Sequence, residues 1–304
     1  MLKTCRFVDG KIVESKDADC PILLYISPDE EEKRELVKRF NLDEHTVNSA
    51  LDPDEVARFE VEPDHFAIIF KRPRNYSTKT GILFKVSSTG VFLRKDRIII
   101  VQADDAPTFE GRHFARVRTL PEVMLKMIYR SIFHFLEHLR VMNLISDELE
   151  GKINTAMENR SLINLFTLEK SLVYYLGAIN SNGMLIEKLK HNATKVGVSE
   201  DEQEYLDDIM IENAQCLRQA EIYSNILASL MDARASVVSN NLNVLMKTLN
   251  ILTIFIMLPT LVVSVFSMNV SLPIQRNPLA FWVILGLAGC TVVSFFLYLR
   301  RRLR

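Results

Sequence analysis

The chain has 304 residues, of which 48% are hydrophobic and 25% are charged, and its formal net charge is −1. That length fits one large domain or two modest ones, with enough apolar residues for a sizeable core. The near-neutral balance argues against a nucleic-acid-binding protein, which normally carries a basic face. The scattered cysteines form no C-x-x-C pair, so neither a disulfide framework nor a structural zinc site is expected.

The N-terminal part, residues 1–120, alternates short apolar runs with turn signals and predicts an α/β domain. The first residues, MLKTCRFVDGK, contain no apolar run, so no cleavable signal peptide is expected. A hairpin is expected around Asp9-Gly10. The remaining patterns predict strands at 22–26, 66–70, 81–86 and 97–103, and helices at 28–40 and 43–50.

After Pro121 the pattern becomes helical, over 121–155, 160–192 and 200–247. No Pro or Gly interrupts the last run before Pro259, which predicts one continuous helix from about Glu200 to Met268. At about 1.5 Å per residue such a helix is on the order of 100 Å long, and it needs helical partners. The expected domains are 1–120, a helical stalk region over 121–246, and a membrane domain over 247–304.

Two C-terminal stretches predict transmembrane helices. From Thr248 to Gln275, and from Asn277 to Leu299, there is no Asp, Glu, Lys, Arg or His. Each stretch exceeds the roughly 20 residues that cross a bilayer core. Basic residues end the chain, whereas the turn between the stretches holds only Arg276, so the positive-inside rule places both termini in the cytoplasm. We therefore expect a multi-pass protein of the cell (inner) membrane, in contact with lipid.

One face of the long helix is polar and small where an ordinary coiled coil would be apolar. We call this face the polar seam, and alternate steps of four and three residues define it. Between 249 and 267 every Asn, Ser and Thr falls on it, and every residue there that lies off it is Leu, Ile, Val, Phe or Pro. Its members are Asn225, Ser229, Asp232, Ser236, Ser239, Asn243, Met246, Asn250, Thr253, Met257, Thr260, Ser264 and Ser267.

Two explanations of the polar seam compete. Small polar residues hold transmembrane helices together by close packing and interhelical hydrogen bonds. Alternatively, they line a water-filled pore inside a ring of identical helices. The length of the seam, and the lipid-compatible residues on every other face, favour the pore. Its neutral oxygens would suit a partly hydrated divalent cation, with Met246 and Met257 as apolar constrictions.

The end of this helix carries a recognisable signature, Ser267-Met268-Asn269. The segment SNNLNVLMKTLNILTIFIMLPTLVVSVFSMNVSLP, followed by Phe281-Trp282, a second span and a basic tail, resembles the CorA family of magnesium and related divalent-cation channels. The sequence match is close from about Tyr205 to the end of the chain. Before Tyr205 only the architecture matches, an α/β domain followed by long helices. The resemblance implies an α+β membrane protein in which an N-terminal cytoplasmic α/β domain is followed by a long stalk helix that continues into the first of two C-terminal transmembrane helices.

The resemblance also implies a homopentamer that transports Mg2+ through a central pore lined by the first transmembrane helix. Asn243, Met246, Met257 and Thr260 match pore-lining positions of the family, and the seam adds Asn250, Thr253 and Ser264. Ser267, Met268 and Asn269 would select the ion at the outer mouth. Asp232 matches an acidic stalk position where magnesium is thought to bridge subunits and hold the channel closed.

Two features depart from the family pattern. Ser267 replaces the signature glycine, and the outer turn SLPIQRNP contains Arg276 and no acidic residue. They leave two alternatives open: transport of Zn2+ or another divalent cation, and a non-conducting membrane scaffold or sensor. No phosphate loop, nucleophile elbow or H-E-x-x-H motif is present, so no enzyme activity is expected.

Overall fold

The structure is a computed structural model that describes residues 1–17, 19–74, 83–111, 114–155, 159–268 and 278–302. The chain divides into two compact units, Met1–Met231 and Asp232–Arg304. The elements of the N-terminal half of the first unit are β1 Leu2–Val8, β2 Lys11–Ser15, β3 Ile22–Ile26, α1 Glu30–Phe40, α2 Glu44–Ser49, β4 Arg58–Val61, β5 Phe66–Pro73, β6 Val86–Leu93 and β7 Ile98–Gln102. Helices follow: α3 Leu120–Thr155, α4 Asn159–His191, α5 Ala193–Val196, α6 Glu200–Phe266 and α7 Ala280–Arg302.

The strands form one seven-stranded sheet in the order β2-β1-β3-β7-β6-β5-β4. β3 and β7 pair in parallel, and the other neighbours pair antiparallel. The expected hairpin is confirmed, with Val8 opposite Lys11. Its turn residues Asp9 and Gly10 have φ of 48° and 74°. Positive φ at both positions is the requirement of a type I′ turn, which Asp-Gly meets at low cost.

The sheet is buried on both faces because its central strands are apolar on both. In β3 and β7, alternate residues such as Leu24 and Ile100 contribute to one core, and Leu23 and Ile99 contribute to the other. The second core is completed by α1 and α2, and the first by α3, α4 and the beginning of α6. A near-continuous apolar run is the pattern expected of strands covered on both sides.

A polar contact fixes α4 against the sheet. Asn182 on α4 accepts from the Lys71 backbone N–H at 2.7 Å and donates to the Lys71 carbonyl at 2.8 Å. β4 does not extend alongside this part of β5, since its pairing with β5 covers only Phe66 to Ile69. The amide side chain therefore replaces the missing strand and satisfies both buried backbone groups.

The helices and most strands lie where the sequence predicts them, and the continuous helix through Pro259 is confirmed as α6. Two strands differ. β4 was not predicted, and the strand expected at 81–86 is instead β6, Val86–Leu93; residues 83–85 are not in a strand, and 81–82 lie outside the described residues. The sequence of β6, VSSTGVFL, begins with mostly small and polar residues, which weakens the strand pattern there. At Gly90 a small residue is required, because an added Cβ would lie 2.4 Å from the Ala50 Cβ.

Candidate functional site

The polar seam lies on the solvent-exposed side of α6. All of its residues from Asn225 to Ser267 are exposed in the single chain. By contrast, Ile251, Leu258, Val262 and Phe266 are partly covered. Exposure alone does not mark the seam, because off-seam residues such as Leu252, Ile256 and Leu261 are exposed as well; the faces differ in which of them lies towards α7.

The covered side of α6 faces α7. Thr248, Ile251, Leu252 and Phe255 of α6 line an apolar groove of about 590 Å³ together with Phe296, Leu299 and Arg300 of α7. Two positions along an α-helix correspond to a rotation of about 200°. Ile251 and Phe255, each two positions from the seam residue Thr253, therefore lie on the opposite side of the helix from it. The polar seam therefore points away from α7, and no other described element of the second unit packs against it.

The hydroxyl groups of the seam are hydrogen-bonded in a way that leaves oxygen lone pairs facing outward. Thr253 Oγ1 donates to the Leu249 carbonyl at 2.9 Å, and Thr260 Oγ1 donates to the Ile256 carbonyl at 2.7 Å. Ser267 Oγ donates to the Ser264 carbonyl at 2.9 Å. Since a hydroxyl has one proton, these oxygens present acceptors to whatever lies against the helix.

The remaining seam residues alternate polar and apolar groups along the helix. Met246 and Met257 are 57% and 63% exposed. They interrupt a run of amides and hydroxyls that consists of Asn243, Asn250, Thr253, Thr260 and Ser264. Repeated around a common axis, this order would give oxygen-rich rings separated by thioether rings.

The end of α6 is only partly described. The helix ends at Phe266, and the Ser267 N–H donates to the Val263 and Ser264 carbonyls at 3.1 and 3.2 Å. Met268 is 60% exposed. Asn269 and Arg276 lie outside the described residues, so their expected roles at the outer mouth stay predictions.

Asp232 begins the second unit and lies exposed on the polar seam. Within the described residues its carboxylate has no hydrogen-bond or ion-pair partner, and its carbonyl accepts from Ser236 Oγ at 3.2 Å. Nor do the described parts of one chain bring together three His, Cys, Asp or Glu side chains that could hold a metal ion. Any strong cation site at Asp232 would need carboxylates from several copies.

The structure also contains a feature that no sequence pattern indicates, a cavity of about 460 Å³ in the first unit. Its polar walls include Arg72 of β5 and Arg130 and His134 of α3. Arg72 is far in sequence from Arg130 and His134, which lie one turn apart on α3. Only the packing of α3 on the sheet brings them together.

Among the described residues, two helices are long and apolar enough to cross a membrane, α6 and α7, with best 18-residue windows of mean hydropathy 2.3 and 2.2. These windows are 0% and 6% buried inside the chain. Apolar segments that remain so exposed require another apolar environment, and a lipid bilayer supplies one.

Comparison with known proteins agrees with this architecture. The curated Cobalt/magnesium transport protein CorA of Methanocaldococcus jannaschii is 25% identical over 311 residues, which cover 97% of this chain and 96% of that protein. The complete structure of the CorA magnesium transporter from the same organism superposes with a TM-score of 0.82 at 22% identity, covering 99% of this chain and 96% of that one. The full-length CmaX protein gives a TM-score of 0.72 at 16% identity, covering 100% and 97%.

The family described as CorA-like Mg2+ transporter protein matches residues 22–301, which include the sheet, the helices of the first unit and both apolar helices. The expected N-terminal sheet domain, long helix and C-terminal apolar helix are all present. The chain belongs to the CorA-like Mg2+ transporter protein family.

Proposed function

We propose that the chain forms a homopentamer that conducts divalent cations, most of all Mg2+, across the cell (inner) membrane. The observation that supports this most strongly is the polar seam of α6. It is continuous and exposed, it faces away from α7, and its hydroxyl protons are directed to the helix backbone. A ring of such helices would enclose an oxygen-lined path while the other faces meet α7 and lipid.

The seam chemistry suits a cation that keeps much of its water. Mg2+ gives up its waters reluctantly, and those waters donate hydrogen bonds. Outward-facing lone pairs at Asn250, Thr253, Thr260 and Ser264 would accept these bonds without the tight binding that full charges would cause. At Met246 and Met257 the path would be apolar, and a narrow apolar ring gates by losing its water.

Ion selection is assigned to the outer mouth, formed by Ser267, Met268 and Asn269. Regulation is assigned to Asp232 at the other end of the seam, where both termini would be cytoplasmic. Carboxylates of neighbouring copies around one axis repel each other, and a bound Mg2+ relieves the repulsion. The occupied site would favour a closed state, and loss of the ion would let the helices separate.

The cation is inferred from the relatives, since the similar protein and structure of Methanocaldococcus jannaschii carry cobalt/magnesium and magnesium in their names. Zn2+ transport is an alternative within the same fold. A scaffold or sensor that does not conduct is favoured by two features of this sequence, Ser267 in place of the signature glycine and Arg276 in an outer turn that lacks acids.

Flux into liposomes separates these functions. The purified protein is reconstituted with an internal dye that reports entry of Mg2+, Zn2+, Co2+ or Ni2+, beside liposomes without protein. We expect Mg2+ entry above the background of the empty vesicles, and a pentameric mass in detergent. Entry of Zn2+ without Mg2+ would select the zinc alternative. No entry of any ion into vesicles that contain intact pentamers would select the scaffold.

A further inference from the structure

The cavity of the first unit lies between the sheet and α3. Its floor comes from β5, β6 and β7, its roof from α3, and its side from the segment after β7. At about 460 Å³ it falls in the size range of small-molecule sites. It is lined by Phe70, Arg72, Thr89, Gln102, Ala106, Pro107, Thr108, Glu110, Gly111, Met127, Arg130, Ser131, Phe133, His134 and Glu137.

The floor of the cavity holds a well-oriented guanidinium group. The Arg72 side chain is only 11% exposed. Its Nε donates to Thr89 Oγ1 at 2.9 Å, and its Nη2 pairs with Asp104. Arg74 also reaches Asp104, at 3.4 Å. One carboxylate is thus shared between two guanidinium groups, which leaves excess positive charge at the floor.

The roof adds a second guanidinium group. Arg130 is half-buried, and its Nη1 donates to the Glu110 carbonyl oxygen at 2.5 Å. Among the described residues no carboxylate lies within ion-pair distance of Arg130. The two acidic side chains of the lining, Glu110 and Glu137, are exposed at the rim.

The titration behaviour of these groups agrees with the geometry. Burial, and then Arg130 and Arg72, lower the pKa of His134 to about 4, so its ring is neutral near pH 7. Burial, and then Arg74 and Arg130, lower the pKa of Arg72 to about 10. Burial also lowers the pKa of Arg130, although Glu110 and Glu137 act in the opposite sense. Burial is the largest cause in all three groups, which is consistent with a poorly solvated space in which a bound anion would stabilise the two guanidinium groups.

We propose that this cavity binds a small organic anion. Its carboxylate or phosphate group would accept hydrogen bonds from Arg130 and Arg72, and its apolar part would pack against Phe70, Met127 and Phe133. Guanidinium groups donate to such oxygens in a geometry that favours two parallel bonds. A bare inorganic ion would leave most of the volume and the apolar wall unused. This site is separate from the polar seam, and its occupancy does not depend on the proposed transport.

Binding is tested by calorimetry on the full-length protein in detergent, at pH 7 and constant ionic strength. The probes are adenosine monophosphate, phenylacetate and inorganic phosphate, with adenosine and phenylacetamide as neutral counterparts. Arg130→Gln removes the roof cation, and Glu137→Gln removes a rim carboxylate. Arg140→Gln is the matched control, because Arg140 is exposed on the same helix and outside the lining.

We expect at least one organic anion to bind more tightly than phosphate and its own neutral counterpart. Arg130→Gln should weaken that binding about tenfold, in line with the loss of a hydrogen bond to a charged group. Glu137→Gln should strengthen it, and Arg140→Gln should leave it unchanged. The opposite signs in the first two variants distinguish anion binding from damage to the fold. The proposal is overturned if no organic anion binds, if the neutral counterparts bind equally well, or if Arg130→Gln has no effect.

Discussion

The two units of the chain differ in the burial of their polar side chains. In Met1–Met231 several polar side chains of the core are buried and partnered, as in the bonds of Asn182 to the Lys71 backbone and of His138 Nδ1 to the Tyr175 hydroxyl at 2.7 Å. The buried hydroxyls of Tyr25 and Ser49 have no hydrogen-bond partner among the described residues. In Asp232–Arg304 the polar residues of the seam, from Asp232 to Ser264, are exposed in a line, and the hydroxyls of Thr253 and Thr260 bond only to the backbone of their own helix within the described residues.

This difference indicates which unit depends on contacts with other molecules. Buried polar groups that are already satisfied fix one arrangement of the first unit, and they need nothing from outside. The exposed seam and the apolar faces of α6 and α7 are complete only in contact with other molecules. We assign lipid to the apolar faces and, on the proposed function, other copies and hydrated cations to the seam.

The largest expected effect lies at the end of the seam. Asn269→Ala should abolish Mg2+ entry into liposomes, because it removes the amide assigned to the outer mouth. Asn240→Ala is the matched control, since Asn240 is exposed on α6 and off the seam. Assembly should be unchanged in both variants. Normal entry through Asn269→Ala would remove this residue from the pathway.

A matched pair of glycines tests how tightly the first unit is packed. Gly90→Ala should lower stability by about 1–3 kcal/mol, because its Cβ would lie 2.4 Å from that of Ala50. Gly177→Ala in α4 should raise stability by about 0.5–1 kcal/mol, because nothing lies within 4 Å of the added Cβ and alanine favours helix. Thermal unfolding compares the two. Equal effects would mean that the sheet and α2 are loosely packed.

The same glycine shows why the sequence predicted some elements and not others. The hairpin at Asp9-Gly10, the apolar run of β3 and the long course of α6, which has no Pro or Gly before Pro259, follow from local patterns, and all are confirmed. The position of β6 does not follow from local pattern, because the strand begins with VSSTG, which is mostly small and polar. At Gly90 the reason for a small residue is a distant neighbour, Ala50, which β propensity does not reveal.

Of the two candidate sites, the polar seam could be predicted from the sequence and the cavity could not. A helical period exposes the polar seam to sequence analysis, since its members recur along a single element. The arginines of the cavity could not be found in this way. Arg72 and Arg130 converge only because α3 packs on the sheet, and that contact depends on residues spread over the whole first unit.

Acid should destabilise the first unit through its buried histidines. The pKa values of His134 and His138 are lowered to about 4, mainly by burial, whereas an unfolded histidine titrates near about 6.5. Between these values the unfolded state binds protons that the folded state does not, so stability is lost as the pH falls.

We expect this loss to be about 1–2 kcal/mol between pH 7 and pH 4, since one pKa unit corresponds to about 1.4 kcal/mol and solvent reaches part of the site. His138→Gln should flatten the pH dependence of thermal unfolding. His191→Gln should not, because His191 is exposed. An unchanged slope in His138→Gln would show that other groups govern acid sensitivity.

The smallest effect is expected at Asp232, where regulation is proposed. Asp232→Ala and Asp232→Lys should raise the Mg2+ concentration that protects the first unit from protease, because the ion loses its carboxylate ligands. Glu221→Ala is the control, since Glu221 is exposed on α6 and off the seam. The same Mg2+ dependence in both Asp232 variants would exclude this residue as a sensor.

The central claim is that the polar seam faces water, and single cysteines test it most directly. Cys290 is replaced by serine, because it is the exposed one, while Cys5, Cys20 and Cys216 are buried. Cysteines are then placed on the seam at Asn250, Thr253, Met257 or Thr260, and off it at Leu252, Phe255 or Leu261.

A charged thiol reagent that does not cross membranes is applied to the protein in liposomes. Only thiols in contact with water ionise and react. The account predicts reaction at the seam positions and protection at the other three. Protected seam cysteines that cross-link between copies would instead show that the seam is a dry contact between helices, and that result would contradict the proposed pore.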